Sequence, residues 1–315
     1  PAGAVPLIDP VPPEELAAEV AALPAEAHAA SGEGLDVYYA AADRIPAILR
    51  EIGRLRERTF REVGEGTGRD VDLDRFDPHY VHLFVWNRAT SEVVGSYRLG
   101  RTDELLSRFG PSGLYTSSLF AYRSQLFASM GPALEMGRSF IRSEYQRSFT
   151  GLLLLWKGIA AYVCRNPKYA TLFGPVSISS EYRTASQRLM FAFLSQNRFV
   201  HEWSRWVRPR TPVDPGRSNG VRPSNLESLE DVSAFISEIE SDAKGVPILL
   251  KQYLKLGGRL LGFNVDPDFS GVLDVLLLVD LRRTEPRILS RYMGRDRLQA
   301  FLAHHRDDGS RDLAG

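Results

Sequence analysis

Charged residues stand at short, regular spacings at three places along this 315-residue sequence. The first place combines Arg58-x-Phe60 with Asp74 and Asp77, two acids three residues apart. Carboxylates at this spacing either bind a substrate cation or orient an arginine across a site, because ionised acids pair strongly with both. Salt bridging on the surface is the alternative interpretation.

The other two places lie on runs with strand character, GSYRL with Gly95 and Arg98, and LEMGRS with Glu135 and Arg138. An odd spacing puts the two residues of each pair on opposite faces of a regular strand. A bulge at Gly137 would bring Glu135 and Arg138 to one face. These two residues are then either reactive groups or a buried ion pair, and Arg98 taken alone is typical of a sheet face.

The runs that must position these groups alternate between strand and helix patterns. The predicted strands are Leu35–Ala41, Tyr80–Trp86, Val93–Leu99, Ala133–Ile141, Thr171–Ser179 and Val272–Leu281. The predicted helices are Arg44–Val63, Gly151–Arg165, Arg183–Asn197, Glu227–Ile239 and Ile248–Leu256, with a loop at 207–225. Residues 80–99 form a hairpin in this interpretation. The order predicts an α/β fold, a central twisted mixed sheet flanked by helices.

Composition restricts the class of protein. Lys plus Arg equals Asp plus Glu at 39 each, so no net charge attracts nucleic acid. No apolar run has the length of a membrane span, and the first residues lack the basic-then-apolar order of a signal peptide, so we expect a cytoplasmic protein. The single cysteine, Cys164, lies in an apolar helical run where a buried core position is expected. No residues have metal-ligand spacing, so no metal site is predicted.

Three regions are expected along the chain. Residues 1–30 mix prolines with Ala/Glu-rich helix formers, which indicates a linker-like segment leaving an upstream part of a longer protein. Residues 31–206 contain the charged clusters and form the core. Residues 207–315 are a C-terminal extension that completes the same domain.

The order of the motifs is more specific than any one of them: R-x-F, D-x-x-D, a G-x-x-R strand, then E-x-x-R on the next long strand. This order resembles the acyl-homoserine-lactone synthases and, more closely, the N-acyltransferases of the ornithine lipid synthase and hemolysin-like group, all built on the GNAT fold. The resemblance covers about residues 35–205 and includes the runs LLLLWKGIAAY and FGPVSIS. In some members a glycerolipid acyltransferase domain precedes this domain, which would account for the linker-like start.

The resemblance implies a set of site residues. The family's recurring polar positions fall on Arg58, Phe60, Asp74, Asp77, Arg98, Glu135 and Arg138, and His82 matches a histidine of the ornithine-type branch. The reaction is attack of an amine on a thioester, which needs a proton acceptor and donors for the developing oxyanion. Glu135 is the candidate base. His82 is the competing base, or else a core histidine on an alternating strand, and Arg138 is the third catalytic candidate.

The remaining residues of the set are assigned to substrate binding. Asp74 and Asp77 bind the ammonium groups of the acceptor or shape the loop that does so. Arg98 and Arg138 hold its carboxylate or organise the acids by bidentate pairing. Ser177 and Ser179, in the FGPVSIS run, complete the predicted substrate-binding residues, with Arg58 and Phe60.

The donor loop departs from the family pattern. GNAT enzymes commonly have Q/R-x-x-G-x-G/A after the fourth strand, whereas QRSFTG, ending at Gly151, has one glycine. The departure favours acyl-phosphopantetheine on acyl carrier protein over acetyl-CoA as donor, with acyl-CoA as the alternative. Arg147, Thr150 and Gly151 are expected to bind the donor, and no permanently bound cofactor is expected. Four basic residues either meet the acidic carrier protein or form a solvated face: Arg142, Arg147, Lys157 and Arg165.

The expected function is transfer of a (3-hydroxy)fatty acyl group from acyl carrier protein to the amine of ornithine or glycine, giving a lyso-aminolipid. Because that product is amphiphilic, peripheral contact with the inner membrane face is expected. Two alternatives stay open. One is a signal synthase that also lactonises its product, and the other is a non-catalytic acyl-binding or regulatory domain of a fused lipid acyltransferase.

Overall fold

The computed structural model describes residues 5–213, 228–266 and 271–311. The described strands are β1 His28–Gly32, β2 Leu35–Ala41, β3 Val81–Asn87, β4 Glu92–Arg101, β5 Phe120–Tyr122, β6 Ala133–Ile141, β7 Thr171–Ile178, β8 Val207–Pro209, β9 Arg259–Asp266 and β10 Val272–Asp280. The described helices are α1 Pro13–Ala22, α2 Pro46–Glu62, α3 Thr102–Phe109, α4 Ser124–Met130, α5 Thr150–Arg165, α6 Thr184–Leu194, α7 Leu229–Ile239, α8 Ile248–Lys255, α9 Pro286–Met293 and α10 Arg295–Arg311. The predicted α/β class is confirmed.

Every predicted strand and helix is present, with ends shifted by up to three residues. The predicted loop 207–225 begins instead with the short strand β8, and its residues 214–225 lie outside the described part, as does Glu227. Most of the elements that the sequence pattern missed are short, although α10 has 17 residues. They are α1, β1, α3, β5, α4, β8, β9, α9 and α10.

The segment predicted to be a linker is packed against the protein. Leu16 of α1 and the preceding Val11 are both at most 6% exposed and belong to a core cluster with residues of α2. Glu19 accepts hydrogen bonds from the backbone N–H groups of Ala47 and Ile48, at 2.8 and 2.9 Å, in the first turn of α2. A carboxylate there satisfies N–H groups that have no partner inside the helix. The linker prediction is therefore wrong for the described residues before 31.

The chain divides into two compact units. The first consists of Pro1–Leu114, Pro132–Ala170 and Glu285–Gly315, and the second of Tyr115–Gly131 and Thr171–Thr284. These limits coincide with neither predicted boundary, at 30/31 or at 206/207.

In the first unit, five strands run in the order β1-β2-β3-β4-β6, and each pair is antiparallel. The β3–β4 pair is the predicted hairpin. Helix α5 packs on one face, where Gly158 lies against Val37 and Leu83. Helix α2 packs on the other face, where Ile48 and Ile52 contact a cluster that includes Phe84. Alternate residues of β3 thus face different helices, which explains why nearly the whole strand is buried.

In the second unit, β7, β10 and β9 form antiparallel ladders with β10 in the middle, and β5 pairs with β8. The central position of β10 accounts for its apolar sequence VLDVLLLVD, in which eight of nine residues are buried. No helix of the described residues is long and apolar enough to cross a membrane.

Gly158 tests the packing of α5. A Cβ atom there would lie 2.7 Å from Val37 Cγ1 and 3.0 Å from Leu83 Cδ1. Overpacking of a filled core costs about 1 to 3 kcal/mol, so we expect Gly158→Leu to lower the free energy of unfolding in urea by about that amount. The control Lys157→Leu, one residue away on a half-buried position, should stay within about 0.5 kcal/mol. Equal stability of the two variants would contradict this packing.

Candidate active site

A β-bulge in β6 brings the two charged residues of that strand to one face. Ser96 pairs with Phe140 and Arg98 pairs with Gly137, so β6 has one residue more than β4 in this interval. Arg138 has φ +53°, a left-handed conformation that is unusual for a residue with a side chain. The predicted bulge is confirmed, with the positive φ at Arg138 and not at Gly137.

A buried carboxylate, Asp77, lies between two arginines on the α2 side of the sheet. Arg56 Nη1 and Nη2 donate to its two oxygens at 3.2 and 2.8 Å. Arg98 Nη1 donates to Asp77 Oδ1 at 3.0 Å and to Asp74 Oδ1 at 2.7 Å. The Arg56, Arg98 and Asp77 side chains are at most 2% exposed, whereas the Asp74 side chain is 23% exposed. These contacts support the acid-organising alternative for Arg98.

The network continues from Arg56 to Arg138 through a second acid. Arg56 Nε lies 3.3 Å from Asp72 Oδ2, and Arg138 Nη2 donates to the same oxygen. The Arg138 guanidinium also lies 4.8 Å from the centre of the Phe60 ring, a cation–π distance. Phe60 and Arg138 are the half-buried members at this end of the network.

Glu135 joins the network at its other end through Tyr80. The Tyr80 hydroxyl donates to Glu135 Oε2, and the Arg98 guanidinium lies 4.9 Å from the centre of the Tyr80 ring. Gly100, which pairs with Glu135 in the β4–β6 ladder, makes room for that ring, because a Cβ atom there would lie 2.5 Å from Tyr80 Cε1. Glu135 and Tyr80 are 1% and 3% exposed.

The charges of the network stabilise one another. Burial raises the pKa of Asp77, but Arg56 and Arg98 outweigh it and hold this pKa well below its usual range. Burial lowers the pKa of Arg98, and the charges of Asp77 and Asp74 reverse this and raise it. Burial, with the like charge of Arg56, lowers the pKa of Arg138 to about 9. All three groups are therefore ionised at neutral pH.

His82 is a neutral part of the same face. It pairs with Arg98 across the hairpin and is 1% exposed. Burial lowers its pKa to about 4 despite the opposing charge of Asp77. Its Nε2 lies 2.8 Å from the backbone oxygen of Asp77, so this nitrogen carries the hydrogen and donates. The ring thereby fixes the backbone that presents the Asp77 carboxylate.

Arg58 lies outside the network. Its side chain is 33% exposed and pairs with Glu144 at 2.6 Å and Glu62 at 3.6 Å. Arg56, two residues earlier, takes the buried place. The sequence contained a signal for this, because Arg56 follows Ile52 by four residues and so continues the apolar stripe of α2. Two further residues were missed and had no comparable signal: Asp72, between two predicted elements, and Tyr80, the first residue of a predicted strand.

Ser177 and Ser179 lie in the second unit. Ser177 Oγ donates to Asp274 Oδ1 at 3.0 Å, and Ser179 Oγ accepts the backbone N–H of Glu181 at 3.2 Å. The first contact joins β7 to β10 and the second is local, and the role of both serines in substrate binding stays a prediction.

The predicted donor residues lie at the start of α5. Arg147 is exposed, Thr150 Oγ1 donates to Glu33 at 2.8 Å, and Gly151 is buried next to Ile141. Phe149, just before the helix, is 72% exposed. Donor binding by this segment stays a prediction.

Two of the arginines that were predicted to contact the carrier protein pair with groups of this chain. Arg165 donates to the backbone oxygens of Glu26 and His28 at 2.7 and 2.9 Å, and Arg142 lies 3.3 Å from both Glu92 and Glu144. Both arginines therefore fasten neighbouring segments of the first unit.

Cys164 is half-buried, where a buried position was expected. Burial raises the pKa of its thiol, which is therefore protonated at neutral pH. In the described part of the chain, no three His, Cys, Asp or Glu residues are grouped so as to hold a metal ion.

Comparisons with known proteins fit this geometry. A family model described as an acetyltransferase (GNAT) domain matches residues 55–157, which include both ends of the charged network. The glycine N(alpha)-acyltransferase of Bacteroides thetaiotaomicron is 29% identical over 86% of this chain and 83% of its own length. The L-ornithine N(alpha)-acyltransferase of Brucella abortus is 30% identical over 79% of this chain and 82% of its own length.

Among solved structures, the CoA-dependent acyl-homoserine lactone synthase BjaI, with SAM and isopentyl-CoA, has a TM-score of 0.41 and 14% identity. That alignment covers 83% of this chain and 90% of BjaI. The mixed sheet, its helices and the match to the GNAT family model place the chain in the class of acyltransferases with a GNAT domain. The similarity to the L-ornithine N(alpha)-acyltransferase shows that the chain belongs to the family of bacterial amino-acid N-acyltransferases.

Asp77 tests the buried network. Asp77→Asn removes the negative charge between Arg56 and Arg98, and loss of one partner of a buried ion pair costs about 3 to 5 kcal/mol. We expect the free energy of unfolding in urea to fall by that amount. The control Glu144→Gln removes an acid that faces Arg58 and Arg142 near the surface, and should cost about 1 kcal/mol or less. A similar loss in both variants would show that the Asp77 network contributes no more than a surface pair.

His82 tests the burial of a neutral imidazole. As pH falls, the unfolded chain binds a proton near pH 6.5, whereas the folded protein binds it near pH 4. The neutral ring's contribution is present above pH 6.5 and lost between 6.5 and 4, by about 3 kcal/mol. The measurement is the free energy of unfolding in urea from pH 7 to 4. We expect its fall over this range to be about 3 kcal/mol smaller for His82→Gln than for the unaltered chain. Parallel curves would contradict the shift.

Proposed function

We propose that this chain transfers a fatty acyl group from acyl carrier protein to the α-amine of an amino acid of the glycine or ornithine type. The observation that carries the proposal is the match to relatives named glycine and L-ornithine N(alpha)-acyltransferase over 79% to 86% of this chain. The product of such a transfer is a lyso-aminolipid, with a 3-hydroxy group when the donor has one.

The proposed reaction is a direct displacement. The lone pair of the amine attacks the thioester carbonyl carbon, the C–N bond forms, and the C–S bond breaks. The sulfur leaves as the phosphopantetheine thiolate and is then protonated. The attacking nitrogen gives up a proton, so a carboxylate that accepts it directly or through water lowers the barrier.

Glu135 is the proposed acceptor of that proton. Its Oε2 is held by the Tyr80 hydroxyl, and the Tyr80 ring is fixed under Arg98. Tyr80 is thus a positioning residue. His82 is less suited to the role, because its Nε2–H is used on the Asp77 backbone and its pKa of about 4 makes it a weak base.

The half-buried members of the network are proposed to meet the acceptor. The side chain of Asp74 is 23% exposed and carries a negative charge for the acceptor's ammonium group. Arg138, with a 9% exposed side chain, carries a positive charge for its carboxylate. Arg98 holds Asp74 directly, and Asp77 holds Arg138 in place through Arg56 and Asp72.

Acyl carrier protein is proposed as the donor because the loop before α5 has one glycine where coenzyme A enzymes commonly have more. The apolar side chains of Phe149 and Leu153, 72% and 42% exposed, lie beside this loop and would contact the incoming donor. The amphiphilic product supports peripheral contact with the inner membrane face, and a fused upstream glycerolipid acyltransferase domain stays a further proposal.

Glu135→Gln tests the site and the reaction together. Loss of a general base lowers the rate by a factor of about 10² or more, so lipids of a host that expresses the variant should lack the N-acyl amino acids that the unaltered chain produces. Tyr80→Phe should lower kcat by about tenfold with little change in KM, because it removes one hydrogen bond to a charged group. Mass spectrometry of extracted lipids and kinetics with purified protein measure both effects.

The matched control is Glu104→Gln, an acid in the same unit whose side chain is 46% exposed and pairs with Arg101. It should keep full activity. Full transfer by folded Glu135→Gln would overturn the assignment of the base. Equal rates with an acyl group on carrier protein or on coenzyme A would overturn the choice of donor, and a lactone product would indicate a signal synthase. No turnover with any donor would favour the binding-domain alternative.

A further inference from the structure

A cavity of about 460 Å³ lies in the second unit, at the end of the sheet where β7 and β9 begin and β10 ends. Its volume is in the range of small-molecule sites. The residues that line the cavity are Ser129, Thr171, His201, Glu202, Trp203, Gly257, Arg259, Leu278, Asp280, Arg282 and Arg283. None of these residues belongs to the charged network or to the loop before α5.

One acid of the cavity is already neutralised within the wall. Asp280 accepts two hydrogen bonds from the Arg282 guanidinium, at 2.7 and 3.0 Å, and a third from the Arg282 backbone at 3.0 Å. Arg283, whose side chain is 86% exposed, lies 3.7 Å from the same carboxylate at the rim. These charges therefore form one side of the cavity, and Asp280 is not a free acid for a ligand.

Two further charges of opposite sign line the cavity. Arg259 uses one of its five donors on the backbone oxygen of Val200, at 2.9 Å. Glu202 is exposed, and its carboxylate has no hydrogen bond or ion pair with any of the described residues. The cavity therefore presents one cation and one anion that a ligand can pair with.

An aromatic wall stands beside these charges. The rings of His201 and Trp203 lie 4.6 Å apart, and His201 Nδ1 accepts the backbone N–H of Trp203 at 3.1 Å. Burial and the nearby charge of Arg259 lower the pKa of His201, so the ring is neutral. The His201 backbone N–H donates to Leu260 of β9 at 2.8 Å, which fixes the wall to the sheet.

We propose that this cavity binds a free amino acid as its zwitterion, with the carboxylate on Arg259 and the ammonium group between Glu202 and the face of Trp203. Both ends of such a ligand find an opposite charge, and an ammonium group is attracted to an indole ring. A simple anion such as phosphate would bind near Glu202 and Asp280, and their negative charges disfavour it. The site is additional to the acceptor site proposed around Glu135.

The test uses the indole N–H signals of the 315-residue chain in NMR spectra. The chain has four tryptophans, and the Trp203 signal is assigned by its loss in Trp203→Phe. Glycine, L-ornithine and inorganic phosphate are titrated separately. We expect at least one amino acid to shift the Trp203 signal saturably, and phosphate to leave it unshifted.

Variants locate the ligand. Glu202→Gln and Arg259→Gln should each weaken the amino acid titration by about tenfold or more, the effect of losing one charge-assisted contact. Arg208→Gln, which alters an exposed arginine of β8 outside the cavity, should leave the titration unchanged. Glu202 is exposed, so its substitution should not affect folding, and thermal melts check this for each variant.

Catalysis and this binding are separable, because Glu135→Gln should abolish acyl transfer and leave the Trp203 titration unchanged. The proposal is overturned if phosphate alone shifts the signal or if neither amino acid does. It is also overturned if Glu202→Gln and Arg259→Gln bind as tightly as the unaltered chain, or if Glu135→Gln abolishes the shift.

Discussion

The first unit depends on one buried carboxylate, Asp77, held between the guanidinium groups of Arg56 and Arg98. Burying any of these charges alone would be costly, and the three are tolerated because each compensates the others. Since Arg56 is on α2, Arg98 on β4 and Asp77 before β3, the ion pairs also fix the distance between the helix and the sheet. The same ion pairs therefore determine both the packing of α2 and the geometry of the charged site.

The same arrangement separates fully buried groups from the groups that we propose to meet a substrate. The fully buried members position others, and Asp74, Arg138 and Phe60 retain some exposure. The second unit repeats this principle on a smaller scale, because Asp280 is occupied by Arg282 whereas Glu202 and Arg259 keep capacity for a ligand. In both units, the charges that we propose to meet a ligand are those that the fold leaves at least partly exposed.

Much of this could be predicted from the sequence, because strand alternation and the three-to-four spacing of α2 are strong local patterns. The spacing of Glu135 and Arg138 around Gly137 even predicted the bulge. Local pattern does not report tertiary pairing, and so it selected Arg58 where the structure buries Arg56. It also missed Tyr80, which reaches Glu135 only because Gly100 has no side chain. The prolines and alanines of α1 indicate a linker, because the local sequence does not show that Glu19 accepts hydrogen bonds from the first turn of α2.

The bulge at Arg138 also limits how this chain can change in length. Glu135 and Phe140 are five residues apart, an odd number, yet both face α2, where Phe140 packs in the core. Removal of one residue between them would leave an even spacing, so a regular strand would keep both on that face but would lose the bulge that brings Arg138 there. A regular strand of unchanged length would instead turn either the acid or the core phenylalanine toward α5, so the extra residue of β6 and the bulge are needed together.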